Sequence, residues 1–531
     1  MALLTDYTSY ADAQAHANSA ALWDLFDGNR EELNIAHECI TRHADGSGRA
    51  AVRIAHADGS DEVLSFDQIA AGAAQFAHWL DAQGIQPGDR IAFMLEPSLP
   101  FYVCLFGAMQ TGAISVPLFT LFGPDALKLR VGDCNPTILI TNAEKADLAR
   151  GAVNADGTPR VVVADQGLLD EIKQYPATYT PKTKANDMAV FQYTSGTTRE
   201  LPEAVKHSHR TLVTLMFAAL YGTGIRPKSA NYKGDEFFCP SSPAWGHGLW
   251  HGTLAPLAMG VTTGTFAGRF DPVRLMKALD DFGITNMSAA ATHYRMMKNS
   301  GKGGDYTFHF EKLSYTGEPI DPATLEWVDE HFKVPACSMY GTTEIGVVLV
   351  NYPGAQDFEV KPGSLGKPVP GQKLEVQRPD GSQTDAGEIG ELMLWRGGGW
   401  MTTKDRAKTD EDGYFYHCGR ADDVIISAGW TMSAVEIENT MLRHDAVLEC
   451  GVIGVPDEKR GQVVKAFVVS SVEGSDELTK ELQDFTRERL AQHEFPRIVE
   501  YVKELPKNPA GKVHRKMLRD QEAAKAAAAV S

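Results

Sequence analysis

The feature of this chain that most constrains its fold is an alternation of short apolar strand patterns with helix patterns, which begins near Asp89. A helix pattern at residues 100–112 has an apolar face made of Tyr102, Leu105, Phe106 and Met109. Strands that alternate with helices pair in parallel and are covered by those helices, so the pattern predicts a layered α/β fold. The predicted strands are residues 90–94, 113–117, 137–141 and 160–164.

A change of texture near residue 420 predicts a second, smaller α/β domain. The chain has 531 residues, which is too long for one ordinary core. Residues 397–413 are rich in Gly, Thr, Asp and Lys, as loops are. A capping box that begins at Ser433 then predicts the start of a helix. We expect a large N-terminal domain of layered α/β subdomains at residues 1–419 and a small C-terminal α/β domain at residues 420–531.

Composition excludes several classes of partner. Lys and Arg total 51 against 69 Asp and Glu, and the net charge of −18 argues against nucleic acid or an anionic membrane surface. None of the seven cysteines has C-x-x-C spacing, which favours reduced thiols over a zinc site or disulfides. The first residues lack the pattern of a signal peptide, and the apolar run at residues 212–220 is too short to cross a bilayer. We expect a cytoplasmic protein with no membrane span, and the sequence leaves open whether it forms a homo-oligomer.

Residues 193–198, Tyr-Thr-Ser-Gly-Thr-Thr, have the composition of a phosphate-binding loop. They follow an apolar run at residues 188–191 that is typical of a strand end. Gly196 lets the backbone approach a ligand, and amides and hydroxyls donate hydrogen bonds to phosphate oxygens. A second glycine and a lysine would normally follow, but Arg199 and Glu203 stand there instead. The loop therefore predicts nucleotide chemistry while it lacks two familiar parts.

Four further motifs follow this loop in a fixed order, and the ordered set is more specific than any one of them. They are Gly317-Glu-Pro319, Tyr340-Gly-Thr-Thr-Glu-Ile-Gly346, Asp412-Gly-Tyr-Phe-Tyr416 with Gly419-Arg-Ala-Asp-Asp423, and Pro506-Lys-Asn-Pro-Ala-Gly-Lys-Val-His-Arg515. With these motifs, the chain from about Ile35 to Arg519 resembles the adenylate-forming superfamily of acyl-CoA synthetases, luciferases and peptide-synthetase adenylation domains. It looks closest to the medium-chain and benzoate-type acid–CoA ligases.

The resemblance implies a reaction in two halves. A carboxylate first attacks the α-phosphorus of ATP, and diphosphate leaves an acyl-adenylate behind. The thiol of coenzyme A then attacks the activated carbonyl, and AMP leaves. Because the first half brings an anion to a polyanion, the site must supply positive charge, here from Mg²⁺ and a lysine. The implied substrates are a small carboxylic acid, ATP and coenzyme A, with Mg²⁺ as cofactor.

The resemblance also implies roles for individual residues. Lys512 would contact the α-phosphate and the carboxylate, Glu344 and Thr194 would bind Mg²⁺, and Thr342 would act beside them at the catalytic centre. Asp405 would accept from the ribose hydroxyls, although the family usually reads Thr-Gly-Asp where this chain reads Thr403-Lys-Asp405. The full set of ATP and AMP contacts implied is Thr194, Ser195, Gly196, Thr197, Thr198, Gly317, Glu318, Pro319, Tyr340, Gly341, Thr342, Thr343, Asp405, Arg420 and Lys512.

A hinge and a binding path for coenzyme A are implied near the domain boundary. Asp422 matches the residue about which the family rotates its mobile small domain between the two half-reactions. One orientation would bring Lys512 to ATP, and the other would bring the segment beside Gly429 to the pantetheine tunnel. The family's Gly-Tyr-Arg is here Gly429-Trp-Thr431. The implied coenzyme A contacts are Ser427, Ala428, Gly429, Trp430 and Arg460.

The acid would bind near residues 243–250, Pro-Ala-Trp-Gly-His-Gly-Leu-Trp, which match an aromatic and histidine motif of the family. Trp245 and His247 are the candidates for the pocket wall, while Trp250 is equally consistent with a core aromatic residue. In acetate-specific relatives a tryptophan closes the pocket at the position of Gly341. Glycine there predicts a larger acid, which would be medium-chain, cyclic or aromatic.

Two alternatives remain at this stage. The protein could be a stand-alone adenylation enzyme that loads a separate carrier protein. It could also bind a nucleotide with impaired turnover, because Arg199 and Glu203 replace the usual glycine and lysine of the loop. The presence of Lys512, Glu344 and Asp422 favours an enzyme, since a pure binder needs neither an adenylation lysine nor a hinge.

Overall fold

The computed structural model describes residues 3–193, 204–342, 345–420, 424–427, 430–457, 461–490, 495–507 and 513–530. The chain divides into two compact units. Unit 1 comprises Met1–Thr316, His331–Glu359 and Val369–Gly371. Unit 2 comprises Gly317–Glu330, Val360–Pro368 and Gln372–Ser531. The predicted domain division at residues 419 and 420 stays a prediction.

The first sheet of unit 1 is built from the strands that the sequence pattern indicates. Its strands are parallel except for the last, which pairs antiparallel with its neighbour. The four predicted strands are confirmed to within one residue at either end, because each is an apolar run bounded by polar or turn residues. In spatial order the strands are Arg160–Val163, Ile138–Thr141, Arg90–Met94, Ile114–Pro117, Met188–Gln192 and Val205–Ser208.

The helix Leu99–Thr111 lies buried beside this sheet. Ser98 caps its first turn by accepting from the amide of Phe101, and Gly112 ends it in the left-handed region at φ 81°. The sequence predicts one apolar face, but residues on every face from Phe101 to Thr111 are buried. The cause is the neighbouring helix Phe66–Ala82, which approaches so closely that a Cβ on Gly107 would lie 2.7 Å from the carbonyl oxygen of Ala73.

The strands of the second sheet of unit 1 pair in parallel except for two pairs. Gly346–Val350 is antiparallel to Ala336–Thr342, and Asp61–Ser65 is antiparallel to Ala50–His56. The carboxyl ends of neighbouring parallel strands meet at one edge of a sheet, where open α/β folds bind their ligands. In spatial order the strands of unit 1 in this sheet are Gly346–Val350, Ala336–Thr342, Lys312–Thr316, Asn286–Ala290, Glu236–Phe238, Thr262–Ala267, Ala50–His56 and Asp61–Ser65.

The remaining helices of unit 1 cover these sheets and connect their strands. The α-helices are Tyr10–His16, Ser19–Trp23, Ile35–Cys39, Pro124–Cys134, Ala146–Arg150, Gln166–Ile172, Thr211–Thr214, Met216–Ala218, Ala255–Ala258, Pro272–Asp281 and Ala291–Asn299. Ala219–Thr223 and His247–Leu254 are π-helical, and Leu4–Asp6, Thr41–His43 and Gly303–Asp305 are 3₁₀ turns.

Unit 2 combines an antiparallel sheet, a hairpin and a mixed sheet. The antiparallel sheet contains Leu374–Gln377, Gly390–Arg396, Gly399–Thr409 and Phe415–Arg420. The hairpin pairs Val424–Ser427 with Trp430–Ser433, and the mixed sheet contains Val447–Asp457, Gly461–Ser470 and Ile498–Tyr501. Its helices are Ala434–Met441, Asp476–Arg489 and Arg515–Val530, and the helix Pro322–Phe332 begins there.

The elements agree with two sequence predictions about the architecture. The side chain of Ser433 accepts from the amide of Glu436, as the predicted helix start requires. The predicted class, α/β with a large N-terminal part and a small C-terminal part, is confirmed. Among the described residues, no helix combines the length and apolar character that a bilayer crossing requires.

Candidate active site

One carboxylate holds both ends of the predicted phosphate loop. The hydroxyl of Tyr193, at which the loop begins, donates to Asp133 Oδ2 at 2.7 Å and to the carbonyl of Arg130 at 3.0 Å. The amide of Ala204, the first described residue after it, donates to the same Asp133 oxygen at 3.2 Å. Residues 194–203 lie outside the described residues, so the predicted roles of Thr194, Ser195, Gly196, Thr197 and Thr198 remain predictions, as do the effects of Arg199 and Glu203.

The strands that flank this loop give it a fixed base. Gln192 and Val205 are register partners in an antiparallel pair, so the loop closes a hairpin. The Arg130 guanidinium lies 3.9 Å from the ring centroid of Phe122 and 5.5 Å from that of Tyr193. Burial is the main cause that raises the pKa of Tyr193, so its hydroxyl stays protonated and donates to Asp133.

The Tyr340 motif lies at the carboxyl end of a strand in the second sheet. Thr316 and Met339 are register partners of parallel strands, and Thr316 Oγ1 donates to the Met339 carbonyl at 2.8 Å. Tyr340, Gly341 and Thr342 follow at the end of the strand Ala336–Thr342. Thr342 Oγ1 accepts from the amide of Ile345 at 3.4 Å. Thr343 and Glu344 lie outside the described residues.

Gly341 has a local structural reason to be glycine. A Cβ built there would lie 2.0 Å from the carbonyl oxygen of Gly346 and 2.6 Å from Val347 Cα. These atoms are backbone of the paired strand, which cannot move aside as a flexible side chain could. The close approach of the two strands therefore excludes a side chain in this conformation, and a part for Gly341 in the acid pocket stays a prediction.

The Gly317-Glu-Pro319 motif follows directly after the strand Lys312–Thr316. Gly317 has φ 97°, in the left-handed region that favours glycine, so the chain turns sharply as the strand ends. The predicted adenine contacts of Gly317, Glu318 and Pro319 remain predictions.

The predicted acid segment forms a π-helix, His247–Leu254, which is a form often found at functional sites. Both ring nitrogens of His247 are engaged: Nδ1 lies 3.0 Å from Ser241 Oγ and Nε2 lies 2.8 Å from Ser288 Oγ. Burial, with smaller effects from His251 and His293, lowers the pKa of His247 to about 3. The imidazole is therefore neutral at pH 7 and cannot form an ion pair with a carboxylate.

The two predicted tryptophans have different environments. The ring of Trp245 meets that of Phe119 edge to face, with centroids 5.8 Å apart. Trp250 is 5% exposed, and its Nε1 donates to Gln192 Oε1 at 2.9 Å. Gln192 Nε2 in turn donates to the Ala244 carbonyl at 3.4 Å. Trp250 thus packs as a core residue and connects the acid segment to the strand that leads into the phosphate loop.

Two further histidines belong to this region and were not predicted. The His251 ring centroid lies 6.3 Å from that of His247, and its Nδ1 is buried with no hydrogen-bond partner among the described residues. His293 Nδ1 accepts from the amide of Ala290 at 3.2 Å, and its ring packs on Phe270. Burial lowers the pKa of each to about 4. The repeat of histidine four residues after His247 could have indicated His251, but no sequence signal indicated His293.

In unit 2, the predicted ribose ligand Asp405 is buried at 5% exposure. His417 Nε2 lies 3.6 Å from Asp405 Oδ1. The backbone amide of Asp405 donates to Thr403 Oγ1 at 3.3 Å. Arg420 is its register partner on the adjacent strand. Lys404, which occupies the family's glycine position, has φ 66° in the left-handed region. The backbone thus keeps a glycine-like turn before Asp405 without the glycine.

The remaining predicted residues are described in part or not at all. Ser427 is buried and is the register partner of Trp430 in the hairpin. Among the described residues, no group of three or more His, Cys, Asp or Glu could hold a metal ion, and the predicted Mg²⁺ ligands Thr194 and Glu344 lie outside them. Also outside them are Asp422, Ala428, Gly429, Arg460 and Lys512.

Comparisons with known proteins agree with the motifs. The family model described as AMP-binding enzyme matches residues 41–403, and the one described as AMP-binding enzyme C-terminal domain matches residues 436–512. An acetyl-coenzyme A synthetase of Bacillus subtilis (strain 168) is 28% identical over 92% of this chain and 91% of its own length.

Two solved structures are similar over most of the chain. The anthranilate CoA ligase AuaEII, in complex with anthranoyl-AMP, is 26% identical with a TM-score of 0.83, covering 97% of this chain and 100% of its own. A benzoate CoA ligase from Burkholderia xenovorans LB400 is 25% identical with a TM-score of 0.78, covering 92% of this chain and 100% of its own. The chain therefore belongs to the AMP-binding enzyme family, within the adenylate-forming superfamily, and is an AMP-forming ligase of the acyl-CoA synthetase type.

Proposed function

We propose that this protein is an ATP-dependent carboxylic acid–CoA ligase that works through an acyl-adenylate and takes an acid larger than acetate. The observation that carries the proposal is the position of Gln192. Its side chain bonds to Trp250 and Ala244 of the predicted acid segment, and the predicted phosphate loop begins at the next residue, Tyr193. Adenylation needs the carboxylate beside the α-phosphate, and the bonds of Gln192 join the predicted acid segment to the strand that precedes the predicted phosphate loop, which supports the proposal.

The two half-reactions place different demands on the residues. In the first, a carboxylate oxygen bonds to the α-phosphorus while the bond to the bridging oxygen breaks and diphosphate leaves. Lys512 would offset the negative charge that gathers there. Thr194 and Glu344 offer a hydroxyl and a carboxylate, which are oxygen donors of the kind Mg²⁺ prefers, and the ion would neutralise phosphate charge. In the second half, the thiol sulfur bonds to the carbonyl carbon, its proton leaves to solvent, and AMP departs.

The described residues of the acid segment favour an uncharged body on the acid. Trp245 and Phe119 present aromatic surface, and His247 is neutral at physiological pH. A second charge on the acid would find no counter-charge in these three residues and would be costly to desolvate. Two similar structures are named for aromatic acids, which supports an aromatic, cyclic or medium-chain acid. Because an acetyl-coenzyme A synthetase is 28% identical to this chain, acetate is the competing acid against which the larger acids are measured.

A panel of acids tests the proposal. Acetate, even-numbered acids to decanoate, benzoate, 2-aminobenzoate and cyclohexanecarboxylate would be assayed for AMP release with ATP, Mg²⁺ and coenzyme A, with loss of free thiol followed in parallel. We expect the highest kcat/KM for an acid of six or more carbons. The Lys512→Ala enzyme gives the background, and Lys480→Ala, at an exposed position of the helix Asp476–Arg489, is the matched control with full activity.

Two outcomes of this panel would contradict the proposal. Acetate as the best acid would refute the size assignment. Carboxylate-dependent exchange of diphosphate into ATP without any loss of coenzyme A thiol would refute the ligase assignment, and would favour loading of a carrier protein.

A further inference from the structure

A cavity of about 200 Å³ lies in unit 1 at the amino end of the strand Lys312–Thr316. The residues next to the proposed active site follow the other end of this strand, roughly 15 Å away at about 3.3 Å per residue. One wall is the N-terminal segment from Leu4 to Ser9, and the other walls include Tyr221, Arg226 and Tyr352. The segment is tied down next to the cavity, because the amides of Tyr10 and Ala11 donate to the carboxylate of Asp357 at 2.5 and 2.9 Å.

Two polar groups of the cavity wall lack partners. Tyr221 is 7% exposed, and its hydroxyl is buried with no hydrogen-bond partner among the described residues. Arg226 Nε is likewise buried and unbonded, and within the described chain its guanidinium has no ion-pair partner. The guanidinium of Arg226 lies over the face of the Tyr232 ring, 4.6 Å from the ring centroid. Buried polar groups are nearly always satisfied in native proteins, so two such groups at one cavity call for a ligand that satisfies both.

The other charges at the cavity are already balanced. Lys312 is 6% exposed in its side chain, and its Nζ donates to the two carboxylate oxygens of Asp235 at 2.7 and 2.8 Å. Glu311 lies 3.3 Å from Lys233 Nζ and accepts from the Tyr232 hydroxyl at 3.2 Å. Arg226 therefore contributes an unbalanced positive charge to a wall that also carries the rings of Tyr221 and Tyr352.

We propose that this cavity binds a small carboxylate with a flat apolar body, at a site separate from the acid pocket. The carboxylate would accept from Arg226 and from the Tyr221 hydroxyl, as charge-assisted hydrogen bonds to a planar guanidinium favour. The body would pack among the rings of Tyr7, Tyr221 and Tyr352. The volume fits, since a cavity of about 150 Å³ accepts benzene and this one is somewhat larger.

Binding of 4-fluorobenzoate to the full chain, followed by fluorine NMR, tests this inference. We expect Arg226→Gln to weaken binding at this site about tenfold or more, because a charge-assisted bond is lost, and Tyr221→Phe to weaken it about threefold to tenfold. Tyr221→Phe keeps the ring and removes an unsatisfied hydroxyl, so it should fold at least as well as the parent chain. Lys228→Gln is the matched control: it removes a positive charge two residues along the chain from Arg226, at an exposed position that does not line the cavity.

A second readout separates this site from the proposed active site. Carboxylate-dependent exchange of diphosphate into ATP should have the same KM for the acid in all four proteins, because the cavity takes no part in the reaction. Equal affinity for 4-fluorobenzoate in the parent chain and in both cavity variants would overturn the inference, as would a complete lack of binding at millimolar probe. A parallel rise in the KM for the acid in both cavity variants would also overturn it, since the probe would then be reporting the active site.

Discussion

Among single residues, Lys404 shows a conflict between side chain and backbone. Its φ of 66° lies in the left-handed region, where a residue with a Cβ is strained by about 1–2 kcal/mol. The family pattern has glycine at this position, directly before the buried Asp405 that we expect to bind ribose. Lys404 therefore adopts a backbone conformation that glycine would adopt without strain. Strain held next to a binding residue suggests that the turn geometry itself is needed.

We predict that Lys404→Gly stabilises the protein by about 0.5–1 kcal/mol, because relief of strain outweighs the entropy that glycine adds to the unfolded chain. Urea unfolding at pH 7.5 measures the effect. Lys480→Gly, in the exposed interior of a helix, is the matched control and should destabilise by about 1 kcal/mol. Similar losses from both variants would show that Lys404 is not strained.

At the scale of elements, the end of the helix Pro124–Cys134 contacts Tyr193 and Ala204, which flank the part of the predicted phosphate loop outside the described residues, through Asp133. This carboxylate accepts from Tyr193, where the predicted loop begins, and from Ala204, which lies beyond its end. Removing it leaves the Ala204 amide without this acceptor and Tyr193 with one acceptor fewer. The hairpin base would then be looser, and the loop less well ordered for a polyphosphate.

We predict that Asp133→Ala raises the KM for ATP about tenfold and destabilises the protein by about 1–2 kcal/mol, because two hydrogen bonds to a charged acceptor are lost. The KM for coenzyme A should change little. Steady-state AMP release measures both constants. Asp125→Ala, an exposed carboxylate in the first turn of the same helix, is the control. An unchanged KM for ATP in Asp133→Ala would separate the helix from the function of the loop.

The elements also show what could be predicted from sequence. The strands of the first sheet were predictable because each is a short apolar run between turn residues. The burial of the helix Leu99–Thr111 on all sides was not, because its second apolar contact comes from a helix that precedes it in the chain. Asp133 and Gln192 were likewise missed: their partners lie 60 and 58 residues away, and a lone acid or amide carries no periodic signal.

At the scale of the whole molecule, six buried or half-buried histidines of unit 1 stand out against a strongly acidic chain of net charge −18. The pKa of each of these histidines is lowered, and burial is the largest cause in each case. For His247 the value falls to about 3, and for the others to about 4. The sequence gives only their number and positions, since their burial depends on packing between distant segments. The six are His43, His207, His209, His247, His251 and His293.

These histidines predict a loss of stability in mild acid. Their pKa in the folded state lies below the unfolded value of about 6.5, so the unfolded chain binds more protons between about pH 6.5 and pH 4. Stability is therefore fully present above pH 6.5 and falls as the pH is lowered, by up to about 1.4 kcal/mol per pH unit for each histidine. Urea unfolding of the full chain, followed by tryptophan fluorescence at pH 7.5, 6.5, 5.5 and 4.5, measures the slope.

A single substitution measures how much one histidine contributes to the pH dependence of the free energy of unfolding. The buried Nε2 of His207 has no partner among the described residues, and its ring packs on Trp250, so His207→Phe keeps the contact and removes the titrating group. We expect the slope near pH 5 to fall by about 1.4 kcal/mol per pH unit in this variant. Met188→Leu, at an exposed position of the paired strand, changes no titrating group, so it is the control and should leave the slope unchanged. A parent protein equally stable at pH 7.5 and pH 4.5 would contradict the whole account, because six imidazoles kept neutral by the fold cannot be acid-insensitive if the unfolded chain protonates them.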